Sequence, residues 1–182
     1  MTGRETDCYI PASFFSGVKG GLHLASGVYF SKTYQFRIAG ERVTLHKKIG
    51  ESYEHVLMKA LAYALFRPQF PKLVIEQRIG LRYKPDLVAL NDLGKAEFWG
   101  ECGQVGLRKL SWIAKHSGVH QLALFKFDIV PNHFISQIRE EVEARYRPPQ
   151  RIKLFNFNSI VLDQAGEEFD EVPELWYQRF EI

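Results

Sequence analysis

Two acids in the stretch KPDLVALNDLGKAEFWGECGQVGLRKL, residues 84–110, define the chemistry open to this chain. Asp86 opens one short apolar run and Glu101 closes the next, with Asn91, Asp92 and Gly94 supplying a turn between them. Antiparallel strands joined by a short turn bring the start of the first beside the end of the second. Asp86 and Glu101 are then cross-strand neighbours, about 5 Å apart at Cβ. Carboxylates that close repel unless a cation lies between them or one takes up a proton. A small set of oxygen ligands suits Mg2+ or Mn2+, which keep several waters. Such an arrangement is one that usually holds a metal ion for cutting phosphodiesters, and in that chemistry a lysine is expected two residues beyond the second acid. Here that position holds Gly103.

Other groups can be placed around the pair. Glu54 lies in the first turn of a helix, on a stripe with Leu57, Leu61 and Leu65, and is a candidate third acid facing the sheet. An acid there also serves the helix dipole with no further role. Alternation puts Glu97, Trp99, Glu101 and Gly103 on one face, and the Cys102 carbonyl then offers the metal a further oxygen. Arg82 and Lys84 flank Tyr83 just before Asp86 and are candidates for phosphate contacts. Tyr83, Phe98 and Trp112 are candidates for base stacking, although most aromatic residues belong to cores. His55 is next to Glu54, and a half-exposed helix histidine is the simpler reading of it. Asp86→Asn, which removes one of two repelling carboxylates, is expected to raise stability in the absence of metal.

The elements that must hold these residues can be traced along the chain. Residues 1–26 are irregular and glycine-rich and read as an N-terminal extension; residues 27–182 read as one domain. From Val28 the alternation of VYFSKTYQFRI, Gly40 and RVTLHKKI predicts a hairpin. Ser52 caps a helix through Phe66, ended by Pro68 and Pro71. LVIEQRI (73–79), DLVAL (86–90) and AEFWGE (96–101) read as strands. A helix over 106–116 stops at Gly118, and VHQLALFKF (119–127) returns as a strand parallel to 96–101. Asn132 is taken to cap a helix over 133–146. IKLFNF and SIVL read as short strands, and LWYQRFEI as an edge strand. The fold class is α/β (α+β), a mixed central β-sheet flanked by helices.

The chain has 182 residues, 46% hydrophobic and 25% charged, ordinary for one globular domain with a full core. A net charge of +3 permits a nucleic-acid partner without requiring one. Cys8 and Cys102 form no metal-type pair, and reduced thiols fit a cytoplasmic protein. No apolar run approaches the roughly 20 residues that span a bilayer, so no membrane role is expected. The sequence leaves open a monomer, a homodimer or a subunit of a larger complex.

In VYFSKTYQFRI, EHVLMKALAYALF, KPDLV and above all FWGECGQVGLRKL, the chain resembles the PD-(D/E)XK nuclease superfamily, and more narrowly the YaeQ family. Glu-x-Gly-Gln at 101–104 carries most of the likeness, which is good over about residues 28–127 and loose beyond. The resemblance implies a restriction-endonuclease-like core and metal-dependent hydrolysis of a nucleic-acid backbone, DNA above all. It implies that Asp86 and Glu101 are metal ligands, that Glu54 completes the set, and that Gln104 matches the family glutamine. Lysines relocate onto the following helix elsewhere in the superfamily. That makes Lys109 the substitute for the side chain missing at Gly103, with Arg108 and Lys115 beside it as nucleic-acid contacts. The competing expectation is the same fold without catalysis, serving as a nucleic-acid-binding or protein-interaction subunit. A Lys109 amine within reach of the Asp86–Glu101 pair favours the enzyme.

Overall fold

The computed structural model describes residues 30–182, so the N-terminal extension expected over 1–26 lies outside the described residues. The hairpin forms as β1 (Lys32–Ile38) and β2 (Glu41–Lys47), paired in register from Ile38↔Glu41 to Lys32↔Lys47. Its two turn residues, Ala39 and Gly40, have φ of 47° and 79°. Two positive φ values match the twist of a tight hairpin, and glycine takes one of them without cost.

The α1 helix (Tyr53–Phe66) starts where expected, with the Ser52 hydroxyl accepting from the His55 N–H at 3.3 Å. It is buried almost all round, from Val56 through Ala64, because it lies between two sheets rather than on one. Beneath it runs a six-stranded mixed sheet in the order β3-β4-β5-β6-β7-β9. Its strands are β3 (Val74–Ile75), β4 (Leu87–Leu90), β5 (Ala96–Cys102), β6 (Gln121–Phe127), β7 (Ile152–Phe157) and β9 (Tyr177–Glu181). Above it the hairpin and the two-residue β8 (Glu168–Phe169) make a second sheet, β2-β1-β8. The other face of the large sheet is covered by α2 (Leu107–His116) and α3 (Pro131–Glu141). The fold is therefore the expected mixed sheet flanked by helices, with the hairpin split off as its own layer. β5 and β6 pair in parallel, as the strand–helix–strand connection through α2 requires.

Several elements differ from the sequence reading. The strand expected over 73–79 stops at Ile75, because Glu76 adopts a left-handed φ of 56°. The third long helix starts on Pro131 rather than being capped by Asn132, since proline at the first helical position loses no bond. It ends at Glu141 because Val142 turns extended and buries its side chain. SIVL is not a strand: Ile160–Gln164 is a short helix, α4, that buries Val161. A short apolar run alone does not separate strand from helix.

Candidate functional site

β4 and β5 are antiparallel, with Leu87 opposite Gly100, which sets Asp86 and Glu101 next to one another at the end of the ladder. Each carboxylate is held from a different layer. The Glu101 side chain, 2% exposed, lies on the α2 face with Trp99, whose indole N–H donates to Oε1 at 2.8 Å. Lys109 reaches down from α2 and donates to Oε2 at 2.6 Å. Asp86 turns into the sheet end, where Oδ2 accepts the Cys102 N–H at 2.8 Å. Its Oδ1 lies 3.8 Å from Nε2 of His55, on the first turn of α1.

These surroundings give the two acids opposite character. Burial raises the Asp86 carboxyl, but the His55 ring, the Cys102 N–H and the nearby Lys59 charge outweigh it, so Asp86 titrates below the usual range. Burial raises Glu101 and the Asp86 charge adds to that, and together they prevail over Lys109 and Trp99. The strained carboxylate is therefore Glu101. The Asp86 charge does bear on Glu101, but ionised Asp86 is itself the better stabilised partner, so the relief expected from Asp86→Asn is set against the loss of its contacts with Cys102 and His55.

Gly103 explains why no lysine follows the second acid. Its φ is +70°, and a Cβ built on it would come 2.7 Å from Nδ1 of His55. Alternation ends at Cys102, and a side chain at 103 would point to α1 rather than to Glu101. The expectation that Gly103 shares the Glu101 face is therefore overturned by this turn. Lys126, 8% exposed on β6, donates to the Gly103 carbonyl and so fixes the turn. Burial pushes its amine down to about 8, against the pull of Glu101 and Cys102.

The remaining expected residues divide. Glu54 is half-buried and makes no ion pair or side-chain hydrogen bond among the described residues. It does not join the pair. The acid that reaches His55 is Glu51, with Oε1 at 3.3 Å from Nε2, and it comes from the segment before the helix. Gln104 is exposed, and Cys102 buries its thiol, whose pKa burial drives well up. Lys84 is bonded to Glu76 at 2.8 Å instead of facing solvent freely. Arg82, Arg108 and Lys115 are exposed.

Sequence reasoning missed a second charged knot behind Asp86. Lys59, 1% exposed, is clasped by Glu51 at 2.5 Å and Glu76 at 2.7 Å. Glu76 also takes Lys48 at 2.5 Å, and its backbone N–H donates to the Asp86 carbonyl at 2.7 Å. Three lysines hold the Glu76 carboxyl far below its usual range despite burial. The available signal was Lys59 on the apolar face of α1, where a lone lysine demands acids. A cavity of about 800 Å³, among Gln121, Pro148 and Lys153 at the other end of β6, touches none of these groups.

Among the described residues no three His, Cys, Asp or Glu side chains converge as a metal-binding group. A cation here would rest on the Asp86–Glu101 pair, water and substrate. That sparse hard-oxygen set is one that Mg2+ accepts and a dedicated Ca2+ or Zn2+ cage does not use.

Fold and site together define a mixed α/β protein with an acid pair, buried Glu101 beside half-buried Asp86, at a strand end. The solved YaeQ protein from Xanthomonas axonopodis pv. citri is similar over 83% of this chain and 90% of that one, with 14% identity and a TM-score of 0.51. The YaeQ protein from Pseudomonas syringae aligns over 83% of this chain and 92% of its own, at 12% identity and a TM-score of 0.48. The first likeness is one of fold. No model of a known protein family matches the sequence. No curated protein matches it either. Among the described residues no helix is long and apolar enough to cross a membrane.

Proposed function

We propose that this protein hydrolyses phosphodiester bonds of nucleic acid, DNA foremost, with a Mg2+ or Mn2+ ion at Asp86 and Glu101 and with Lys109 as the cationic catalytic group. The observation that carries this reading is the Lys109–Glu101 contact of 2.6 Å beside Asp86. It brings to the acid pair, from α2, an amine that Gly103, in the turn after β5, has no side chain to offer.

Each side chain has a distinct task. Asp86 stays ionised at neutral pH because His55, Cys102 and Lys59 stabilise its charge, and its Oδ1 is the oxygen not engaged by the backbone. Glu101, raised by burial and by Asp86, is the acid whose charge a bound cation relieves. Lys109 offers a compact positive charge to the phosphate oxygens as negative charge builds there. A bound divalent ion supplies the activated water and further neutralisation of the phosphate. The experiment is incubation with supercoiled, linear and branched DNA in Mg2+, Mn2+ or EDTA, with Lys109→Ala in parallel. Metal-dependent cleavage that falls in the variant supports the reading.

Gly103 also favours a second reading, the same fold as a non-catalytic nucleic-acid-binding subunit. On that reading Lys109 only neutralises Glu101. Binding without cleavage in every metal selects it.

A further inference from the structure

The segments that flank the acid pair are basic without relief. Residues 77–85 and 103–120 contain Arg78, Arg82, Lys84, Arg108, Lys109 and Lys115 and no acid, in a chain whose net charge is only +3. Of these, Lys84 and Lys109 are committed to Glu76 and Glu101, whereas the other four have no carboxylate partner among the described residues.

Aromatic rings are interleaved with these cations along the edge of α2. Trp112 follows Lys109 by one helical turn, and His116 follows Trp112 by another. The Tyr83 ring meets Trp112 edge-on with centroids 5.3 Å apart, and Trp112 meets the His116 ring at 5.3 Å. Arg82 lies 5.2 Å from the Tyr83 ring and Lys109 5.7 Å from it. Trp112 and Tyr83 pack against the core under α2 yet stay only half-buried, and His116 is exposed, so each ring keeps part of its surface open to solvent.

We propose that this row is a binding track for single-stranded nucleic acid, leading an unpaired strand to the acid pair; it rests on the phosphodiesterase reading for its purpose. Stacking on Trp112, Tyr83 and His116 serves only bases that have left a duplex, and stacking is indifferent to sequence. Arg82 and Lys115 meet the phosphates. From Lys109 to His116 the helix rises about 10 Å, the reach of about three stacked nucleotides at ~3.4 Å each. The four basic side chains without a carboxylate partner match a polyanion, and the aromatic rings between them match its bases rather than an acidic protein surface, which is why the occupant is a nucleic-acid strand and not a protein.

The test is binding, measured in EDTA so that it does not depend on cleavage. The probes are a fluorescein-labelled oligothymidine and a duplex of mixed sequence, read by anisotropy and by tryptophan quenching over a salt series. The single strand is expected to bind at least tenfold more tightly and to quench tryptophan fluorescence. Trp112→Phe should abolish most of that quenching. Arg82→Gln combined with Lys115→Gln should keep the quenching and lower the salt slope by about 1.4, or ~0.7 per phosphate contact. An inactive protein that shows these results leaves the track standing and removes the nuclease reading. An active nuclease that binds duplex as tightly as single strand, with no quenching through Trp112, overturns the track and leaves the nuclease reading intact. Absence of binding to either probe at low salt also overturns it.

Discussion

The ammonium of Lys109 lies 2.6 Å from the buried carboxylate of Glu101, so a residue of α2 reaches the acid pair at the end of the β4–β5 ladder. Lys109→Ala is expected to lower cleavage by roughly 10²–10³-fold, the cost of removing one donor to developing oxyanion charge. Substrate binding should fall far less, because one phosphate contact among several carries only part of the affinity. Lys109→Arg should restore little, since a planar fork does not replace a compact charge. Initial rates and binding isotherms for the three proteins measure this, and full activity in Lys109→Ala removes the lysine from the site.

Gly103→Lys, the change that puts a lysine two residues after Glu101, should fail to rescue Lys109→Ala and should destabilise the fold. The left-handed φ of +70° costs a residue with a side chain about 1–3 kcal/mol, and the new Cβ would meet His55 Nδ1 at 2.7 Å. Thermal unfolding and the cleavage rate of the double variant test it; a stable, active double variant contradicts the geometry given for the turn.

The acid pair should show opposite signs in stability. Glu101 has a raised folded pKa, so its cost is absent below the ordinary carboxyl value of about 4.3 and appears as pH rises through the folded value. Glu101→Gln should therefore stabilise the metal-free protein at neutral pH by on the order of 1 kcal/mol. Asp86 has a lowered folded pKa, so its contribution is present above about 3.9 and is lost as pH falls through the folded value. Asp86→Asn should cost about 1.5–3 kcal/mol near neutrality, as for a hydrogen bond to a charged group. Urea unfolding at several pH values separates the two, and changes of the same sign would show that the pair is not asymmetric.

Lys126 should make the protein more stable in mild alkali. Its folded pKa of about 8 lies below the free-lysine value, so the penalty of burying its charge is full below the folded value and fades as pH rises toward the unfolded one. Lys126→Met should flatten that rise between about pH 8 and 10. If the alkaline profiles of variant and parent coincide, the amine is not desolvated.

The parts of the fold legible in the sequence are those where local pattern and tertiary demand agree. Gly40, Ser52 and Gly118 mark turn, cap and stop because each meets a backbone need that is local. Asp86 and Glu101 could be paired from the turn between their strands, and Lys109 from the helix that follows. The illegible parts depend on neighbours distant in sequence. Glu51 and Glu76 matter because Lys59 is buried between them, and nothing near either acid announces that. Glu54 carries the better local signal for a helix acid, yet Glu51 reaches His55. Gly103 looked like a strand residue until His55 filled the space where its side chain would stand.

The most direct measurement is the cleavage of single-stranded and duplex DNA by the unmodified protein, Asp86→Asn and Lys109→Ala, each in Mg2+, Mn2+ and EDTA. The expected result is cleavage by the unmodified protein with metal, none in EDTA, none in Asp86→Asn and a roughly 10²–10³-fold loss in Lys109→Ala. Absence of cleavage with either metal, or cleavage that survives both substitutions unchanged, would contradict a nuclease site at Asp86, Glu101 and Lys109.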